Sequence, residues 1–350
     1  GLSRIRFITK LFFIDHLRTM LHASLSLVEA LSILERETTN KKFKGVILQI
    51  KANIEQGKTL SEAMAAHPKI FPLMQIHMIE AGEVAGKLDE SLAQIVVQMK
   101  KTHALVSSIR GAMMYPAVVV TAMIAVALIM TTVILPRMID IFKEFGGELP
   151  LPTRVLIAIT HFMSSPLNLL LMSTLFTTTI VMFVMGLRKN IGFKRLIHSF
   201  NLNFIILGPV IKQINLARFS LTLSSLLKST IPIIDAVTIT SLTCTNVRFQ
   251  ESLAATAKEM KNGTPLSELL SKYPKLYPPM VTEMIMVGER TGEVERLLNE
   301  LAEFYNEEVD KTMKNFTTII EPLLIVFLGV AVGGVAVAVI MPMYSLANSF

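Results

Sequence analysis

The sequence repeats itself at a constant offset of 206 residues, without a gap. The residues that recur include glycines, prolines and acidic residues, which commonly mark turns and helix ends. The offset stays the same from residues 57 and 263 to residues 136 and 342. The chain is therefore predicted to contain two copies of one structural unit. The recurring residues include Gly57, Leu60, Ser61 and Glu62 with Gly263, Leu266, Ser267 and Glu268, Gly82, Glu83 and Gly86 with Gly288, Glu289 and Gly292, and Pro116 and Pro136 with Pro322 and Pro342.

Three apolar stretches without charged side chains occupy residues 117–135, 167–187 and 323–341. Each is long enough to cross the hydrocarbon core of a bilayer as a helix. They explain why 51% of the residues are hydrophobic and why the mean hydropathy is +0.53. None is predicted to be a signal peptide, because the first lies more than a hundred residues into the chain.

Lysines and arginines cluster on one side of the predicted spans. Lys100, Lys101 and Arg110 precede the first span, and Lys311 and Lys314 precede the third. Because basic flanks stay in the cytoplasm and bind anionic lipid, both copies are predicted to be cytoplasmic, with the amino terminus inside and the carboxy terminus outside. The predicted layout is a first module at 1–113, a span at 114–136, an outer loop at 137–165, a span at 166–187, a second module at 188–319, a span at 320–342 and an outer tail at 343–350.

Apolar residues in both modules recur at helical spacing, and no run alternates as a strand would. Ser26 with Glu29 and Thr59 with Glu62 predict helix starts, and Gly57 predicts a helix end. A long apolar stripe that begins at Leu88 leads directly into the first span. The predicted fold is an all-α membrane protein with two repeated cytoplasmic helical modules and three transmembrane helices.

The turns Gly82-Glu83-Val84-Ala85-Gly86 and Gly288-Glu289-Arg290-Thr291-Gly292 are candidate partner-contact sites or structural motifs. Their glycines permit left-handed backbone and close approach of neighbouring helices. Neither turn has the lysine of a phosphate-binding loop, and neither follows a strand, so no nucleotide or other cofactor is predicted.

Metal binding and catalysis find little support in the residues. His77, Glu80 and Glu83 are spaced along one helix face, but the second copy has Met286 in place of Glu80, so a solvated face is preferred over a metal site. The single Cys244 between two threonines is typical of a core filler rather than a nucleophile. The chain has no tryptophan, which argues against a nucleic-acid interface. No enzyme activity is predicted.

At the boundary of the membrane, Glu321 before Pro322 corresponds to Tyr115 before Pro116 in the first copy. A carboxylate here could snorkel, cap a helix or contact a partner's span. Gly329 and Gly333 form a small-xxx-small face in the third span, which would allow close helix packing within the chain, with a second copy or with a client helix.

Several motifs together resemble the GspF/PilC family of type II secretion and type IV pilus platform proteins, and the resemblance covers nearly the whole chain. One departure lies at His22-Ala23-Ser24, where family members more often have a glycine. The motifs that carry the resemblance are the repeat, the two GExxG turns, Tyr115-Pro116, Glu321-Pro322 and the segments 145–153, 216–219 and 303–310.

The resemblance implies six-helix cytoplasmic modules and an inner-membrane platform that couples a hexameric assembly or retraction ATPase to the insertion of pilin or pseudopilin into a filament. Other inner-membrane assembly proteins and further copies of the chain are the implied neighbours, and no residue would be catalytic. The first module and the turn around Glu83 are predicted to meet the ATPase. The alternatives are a membrane receptor or a small transporter subunit, although the spans offer a transporter no polar midplane site.

Overall fold

The computed structural model describes residues 5–129, 190–204 and 207–347, together with scattered helical positions between 170 and 186. Within this part of the chain the regular structure is entirely helical, and the predicted all-α fold is confirmed. The outer loop predicted at 137–165 and the motif at 145–153 lie outside the described residues, as does most of the predicted second span.

The first copy of the repeat folds into six helices. The last of them, which is 42 residues long, contains the apolar stripe and the predicted first span as far as Ile129. The helices are α1 Phe7–His22, α2 Leu27–Glu37, α3 Lys41–Glu55, α4 Leu60–Ala65, α5 Leu73–Ala85 and α6 Leu88–Ile129.

The second copy reproduces these boundaries from its second helix onward. An additional helix, α7 Ile191–Asn203, precedes it. From α9 onward every helix begins 206 residues after its counterpart. Some of the capping and turn residues recur with the same spacing, including Asn40 with Asn246 and Gly86 with Gly292. The helices are α8 Leu207–Lys228, α9 Ile233–Thr243, α10 Val247–Met260, α11 Leu266–Ser271, α12 Pro279–Thr291 and α13 Val294–Ala347.

The predicted helix starts are confirmed by their caps. The Ser26 hydroxyl accepts a hydrogen bond from the Glu29 amide at 3.2 Å at the start of α2. Thr59 and Glu62 form a reciprocal capping box at the start of α4. Gly57, just after α3, has a φ of 90°, a left-handed conformation that glycine adopts without a steric penalty.

The turn between α1 and α2 contains a left-handed residue that carries a side chain. Ser24 has a φ of 65°, and its counterpart Thr230 has a φ of 61°. Left-handed backbone costs a residue with a Cβ about 1–2 kcal/mol. The turn at His22-Ala23-Ser24 therefore accepts some strain at Ser24.

Each copy has a buried aromatic triad at its centre. In the first copy Phe13 packs edge-on against Phe43 with ring centroids 5.3 Å apart, and Phe71 lies 6.0 Å from Phe13. In the second copy Phe219 and Phe249 lie 5.6 Å and 5.4 Å from Tyr277. These residues occupy equivalent positions, so both copies are organised around the same packing.

The extra hydroxyl of Tyr277 relative to its counterpart Phe71 has a compensating partner. Tyr277 lies 2.9 Å from the Ser252 hydroxyl, and Ser252 replaces Val46 of the first copy. Burial raises the pKa of Tyr277 well above its ordinary value. The phenol therefore stays neutral, and the two substitutions together satisfy a polar group that would otherwise be buried alone.

The chain divides into two compact units. The first comprises residues 1–107 and 195–310 and contains the helical cores of both copies. The second comprises residues 108–194 and 311–350. The domain limits proposed from the sequence differ from these by several residues, and they remain predictions.

Two helices in the described part of the chain are long and apolar enough to cross a membrane, over Leu88–Val126 and Val294–Gly334. Their most apolar windows are unburied, as expected of side chains that face lipid. They overlap the predicted first and third spans. Helix α13 continues to Ala347, so helical structure extends into the segment 343–350 that was predicted as a tail.

Candidate functional site

The carboxylate of Glu83 caps the start of a helix other than its own. Glu83 lies near the end of α5, and it accepts hydrogen bonds from the amides of Leu60 and Ser61 at the start of α4. The Ser61 hydroxyl donates a further bond at 2.6 Å. The first amides of a helix lack intrahelical partners and carry partial positive charge, so a carboxylate stabilises them by charge as well as by hydrogen bonding.

The second copy forms the same arrangement. Glu289 accepts from the Leu266 amide at 2.6 Å and from the Ser267 amide at 3.3 Å, and the Ser267 hydroxyl also donates to its carboxylate. The recurrence of Leu-Ser and Gly-Glu in the sequence therefore has a common physical cause. Each glutamate ties the short fourth helix of its copy to the fifth, which gives the GExxG motif a definite structural role.

The glycines of the two turns serve two different purposes. Gly86 and Gly292 have φ values of 66° and 77° and end α5 and α12 in left-handed backbone. A Cβ on Gly82 would lie 2.6 Å from the Cβ of Ser91, and one on Gly288 would lie 2.8 Å from the Cα of Val294. These two glycines therefore let the next helix approach closely.

The outer side of the first turn remains available to a partner. Val84 is 87% exposed, and its counterpart Arg290 is also exposed. The glutamates are only partly exposed, and their carboxylates are engaged within the fold. A partner that binds at these turns would contact Val84 or Arg290 more readily than the glutamates.

The predicted line of His77, Glu80 and Glu83 does not converge on one point. His77 pairs with Glu80 at 3.0 Å, whereas Glu83 is directed to the start of α4. His77 and Glu80 line a cavity of about 560 Å³ together with Asp235 of α9. No group of three or more potential metal ligands occurs among the described residues.

Cys244 is buried at the end of α9, with 2% of its surface exposed. Burial raises the pKa of the thiol to about 12. Because the thiolate is the reactive form of cysteine, this side chain is chemically inert at neutral pH. The interpretation as a core filler agrees with this environment.

Two of the candidate residues at the predicted membrane boundary form a pair. The Tyr115 hydroxyl of α6 donates to the Glu321 carboxylate of α13 at 3.4 Å, which is long for such a bond. Both residues are exposed, and each precedes the proline of its helix, Pro116 or Pro322. Equivalent positions of the two copies therefore meet, and Glu321 has a partner within its own chain.

The small-residue face of α13 contacts none of the described residues at Gly329 and Gly333. A Cβ added to Gly329 or Gly333 would meet no atom within 4 Å, and both glycines are exposed. Neither is needed for packing in the described part of this chain. Among the described residues nothing covers this face, and the prediction that another helix packs there stays a prediction.

Sequence reasoning missed the polar contacts between the two copies. Lys101 of α6 donates to the Asn299 side chain at 3.0 Å and to Glu303 at 3.2 Å, both on α13. It also missed Asn215, whose fully buried side chain accepts from the amides of Thr245 and Asn246. An asparagine amid apolar residues on α8 was the available signal, because a buried amide requires partners.

Comparison with known proteins gives the same repeat. A family model described as type II secretion system (T2SS), protein F matches residues 13–136 and again residues 219–342. The two matched ranges begin and end 206 residues apart, which is the offset found within the sequence.

Relatives from pilus and secretion systems match almost the whole chain. The type IV pilus assembly protein PilC of Thermus thermophilus is 36% identical over 95% of this chain and 81% of its own length. The protein of the same name from Myxococcus xanthus is 33% identical over 97% of this chain and 80% of its own length. The type II secretion system protein F of Pseudomonas aeruginosa is 26% identical over 94% and 80%.

Proposed function

Because the chain belongs to the family of the type II secretion system protein F, we propose that it is the inner-membrane platform protein of a type IV pilus or type II secretion machine. The observation that carries this proposal is the family match to both copies of the repeat, each with its apolar helix. Two relatives named for pilus assembly reach 36% and 33% identity, above the 26% of the Pseudomonas aeruginosa relative named for secretion, which favours a pilus.

The platform would act by coupling, without chemistry of its own. A hexameric assembly or retraction ATPase would hydrolyse ATP, and the platform would pass the resulting movement to pilin or pseudopilin in the bilayer. The inert Cys244 thiol and the engagement of Glu83 and Glu289 in helix capping support a chain without a catalytic group.

The proposed location is the cell inner membrane, with both modules in the cytoplasm. The basic residues before the first and third spans support this orientation. The limits drawn from the sequence place the spans at 114–136, 166–187 and 320–342. The open face at Gly329 and Gly333 would pack against a second copy of the chain or against the span of a client.

The proposed contact with the ATPase is the outer side of the turn Gly82–Gly86, which lies between α5 and α6. Val84 is 87% exposed there, so a partner that bound this surface would remove its apolar side chain from water. Since Glu83 holds α4 in place, a substitution of Glu83 would disturb the fold and would not test this contact. Val84→Arg leaves the hydrogen bonds between Glu83 and the start of α4 intact.

Affinity purification of the tagged chain from its native cells, after detergent solubilisation, tests the proposal. We expect an assembly ATPase and a prepilin to be recovered with it. Val84→Arg should reduce recovery of the ATPase at least fivefold while leaving the amount and solubility of the chain unchanged. The matched control is Arg290→Val at the equivalent position of the second copy, which should retain the ATPase.

Repeated recovery of a permease subunit or a signalling protein in place of both partners would contradict the platform role and favour a transporter or receptor. Equal recovery of the ATPase with Val84→Arg and with the unmodified chain would leave the platform role standing and remove the turn as the contact.

A further inference from the structure

A cavity of about 290 Å³ lies between the two copies in the first compact unit. Helices α5 and α6 of the first copy form one wall, and α8 and α9 of the second copy form the other. Its apolar lining includes Leu73 and Leu242, which are 46% and 64% exposed. The volume is at the lower end of the range typical of small-molecule sites.

Arg218 of α8 is the one charged residue among those that line the cavity. Its Nε is buried and has no hydrogen-bond partner. No carboxylate among the described residues forms an ion pair with its guanidinium, and burial lowers its pKa from the ordinary value. A guanidinium is nonetheless always charged in proteins, so the cavity contains an uncompensated positive charge.

The neighbouring polar groups do not compensate that charge. Gln98 donates to Thr102 at 3.1 Å, and Thr243 lies 3.4 Å from the Thr222 hydroxyl. These groups are neutral and pair among themselves. The nearby Cys244 thiol is also neutral, because its pKa is about 12.

Comparison of the two copies shows that the charge is a special feature of the second. The position equivalent to Arg218 is Phe12, which is 55% exposed. The positions equivalent to Thr222 and Thr243 are His16 and Glu37, which pair at 3.6 Å. The second copy thus has an arginine where the first has Phe12, and it has threonines where the first has His16 and Glu37.

We propose that this cavity binds a small monocarboxylate, whose carboxylate group pairs with Arg218 and whose short apolar chain packs against Leu73 and Leu242. The planar guanidinium matches a carboxylate in shape as well as in charge. The bound molecule would contact both copies at once and strengthen their association. Neither the cavity nor Arg218 enters the proposed role in pilus or secretion assembly.

Valerate is a suitable probe, and valeramide is its uncharged control of the same size. With the full chain purified in detergent, valerate at ten times its dissociation constant should raise the midpoint of thermal unfolding by about 3 °C. Under the same conditions it should slow modification of Arg218 by phenylglyoxal about tenfold, as located by mass spectrometry. Valeramide and chloride at equal ionic strength should do neither.

Arg218→Gln should abolish the thermal shift, and the exposed Arg248→Gln should retain it. In the unmodified chain, Arg248 should be modified at the same rate with and without valerate, which gives a control that needs no variant. A shift that persists in Arg218→Gln, equal effects of valerate and valeramide, or no effect of valerate on either measurement would each overturn the proposal. Protection by an acidic peptide such as acetyl-Leu-Glu-amide without protection by valerate would also overturn it, in favour of a partner's side chain.

Discussion

Glu83 and Glu289 illustrate how one residue type can serve the fold at a position where a partner contact was also conceivable. Each carboxylate accepts hydrogen bonds from two backbone amides and one hydroxyl at the start of a six-residue helix. A helix that short does not form alone in water, because nucleation costs more than a few hydrogen bonds return. The glutamate therefore helps to define the fourth helix of each copy.

The paired substitution of Tyr277 and Ser252 gives a prediction at the residue scale. Ser252→Val should destabilise the chain by about 2 kcal/mol, because it leaves the buried Tyr277 hydroxyl without its partner. Adding Tyr277→Phe should recover most of that loss, since the double variant recreates the Phe71 and Val46 pair of the first copy.

Denaturant titration of the purified chain in detergent would measure the free energy of unfolding of the two single variants and the double variant. The expected coupling is about 1–2 kcal/mol. Losses that simply add would show that the two side chains do not depend on each other.

At the scale of the elements, the two copies share helix boundaries from the second helix onward, and some residues that begin or end helices recur, including Asn40 with Asn246 and Gly86 with Gly292. The close approach of α6 to α5 depends in addition on Gly82, which leaves room for Ser91. The equivalent approach of α13 to α12 depends on Gly288, where a Cβ would meet backbone atoms of Val294.

Replacing two glycines by alanine should give opposite effects. Gly82→Ala should destabilise the chain by about 1–3 kcal/mol, because its Cβ would overlap Ser91. Gly45→Ala is the matched control: Gly45 lies within α3, where a Cβ would meet nothing within 4 Å. This change should stabilise the chain by about 0.5–1 kcal/mol.

Thermal unfolding of both variants beside the unmodified chain would test the pair of effects. Stabilisation by Gly82→Ala would mean that α5 and α6 can separate without loss, and that the glycine is not required for their packing.

At the scale of the whole molecule, the two predicted spans between the copies, at 114–136 and 166–187, would place both copies on the same side of the membrane. Single cysteines introduced at Gln56 and Asn262, which are exposed and lie 206 residues apart, should be inaccessible to an impermeant maleimide in intact spheroplasts. Both should react after the membrane is opened. A cysteine at Lys143, in the predicted outer loop, should react before opening.

Each cysteine would be introduced into a chain that carries Cys244→Ala, so that the native thiol cannot react. Labelling of Asn262→Cys from outside, with Gln56→Cys protected, would contradict the three-span topology, because the two copies would then lie on opposite sides.

Much of the architecture was predictable from the sequence. The repeat, the all-α class, the helix caps at Ser26 and Thr59 and the helix end near Gly57 follow from local spacing and from residues with strong backbone preferences. The first and third spans were predictable because crossing a bilayer requires a long uncharged apolar helix, and this requirement is visible in a linear sequence. The family could be identified because several motifs occur together at one offset.

The tertiary structure alone decided which side chains meet. The hydrogen bond that the Ser61 hydroxyl donates to Glu83 joins residues 22 positions apart. The one that Lys101 donates to Asn299 joins residues 198 positions apart. Such contacts depend on how helices pack, which no local pattern encodes. The isolation of Arg218 in its cavity is likewise a property of the packed structure, because a charge is known to lack a partner only when its neighbours in space are known.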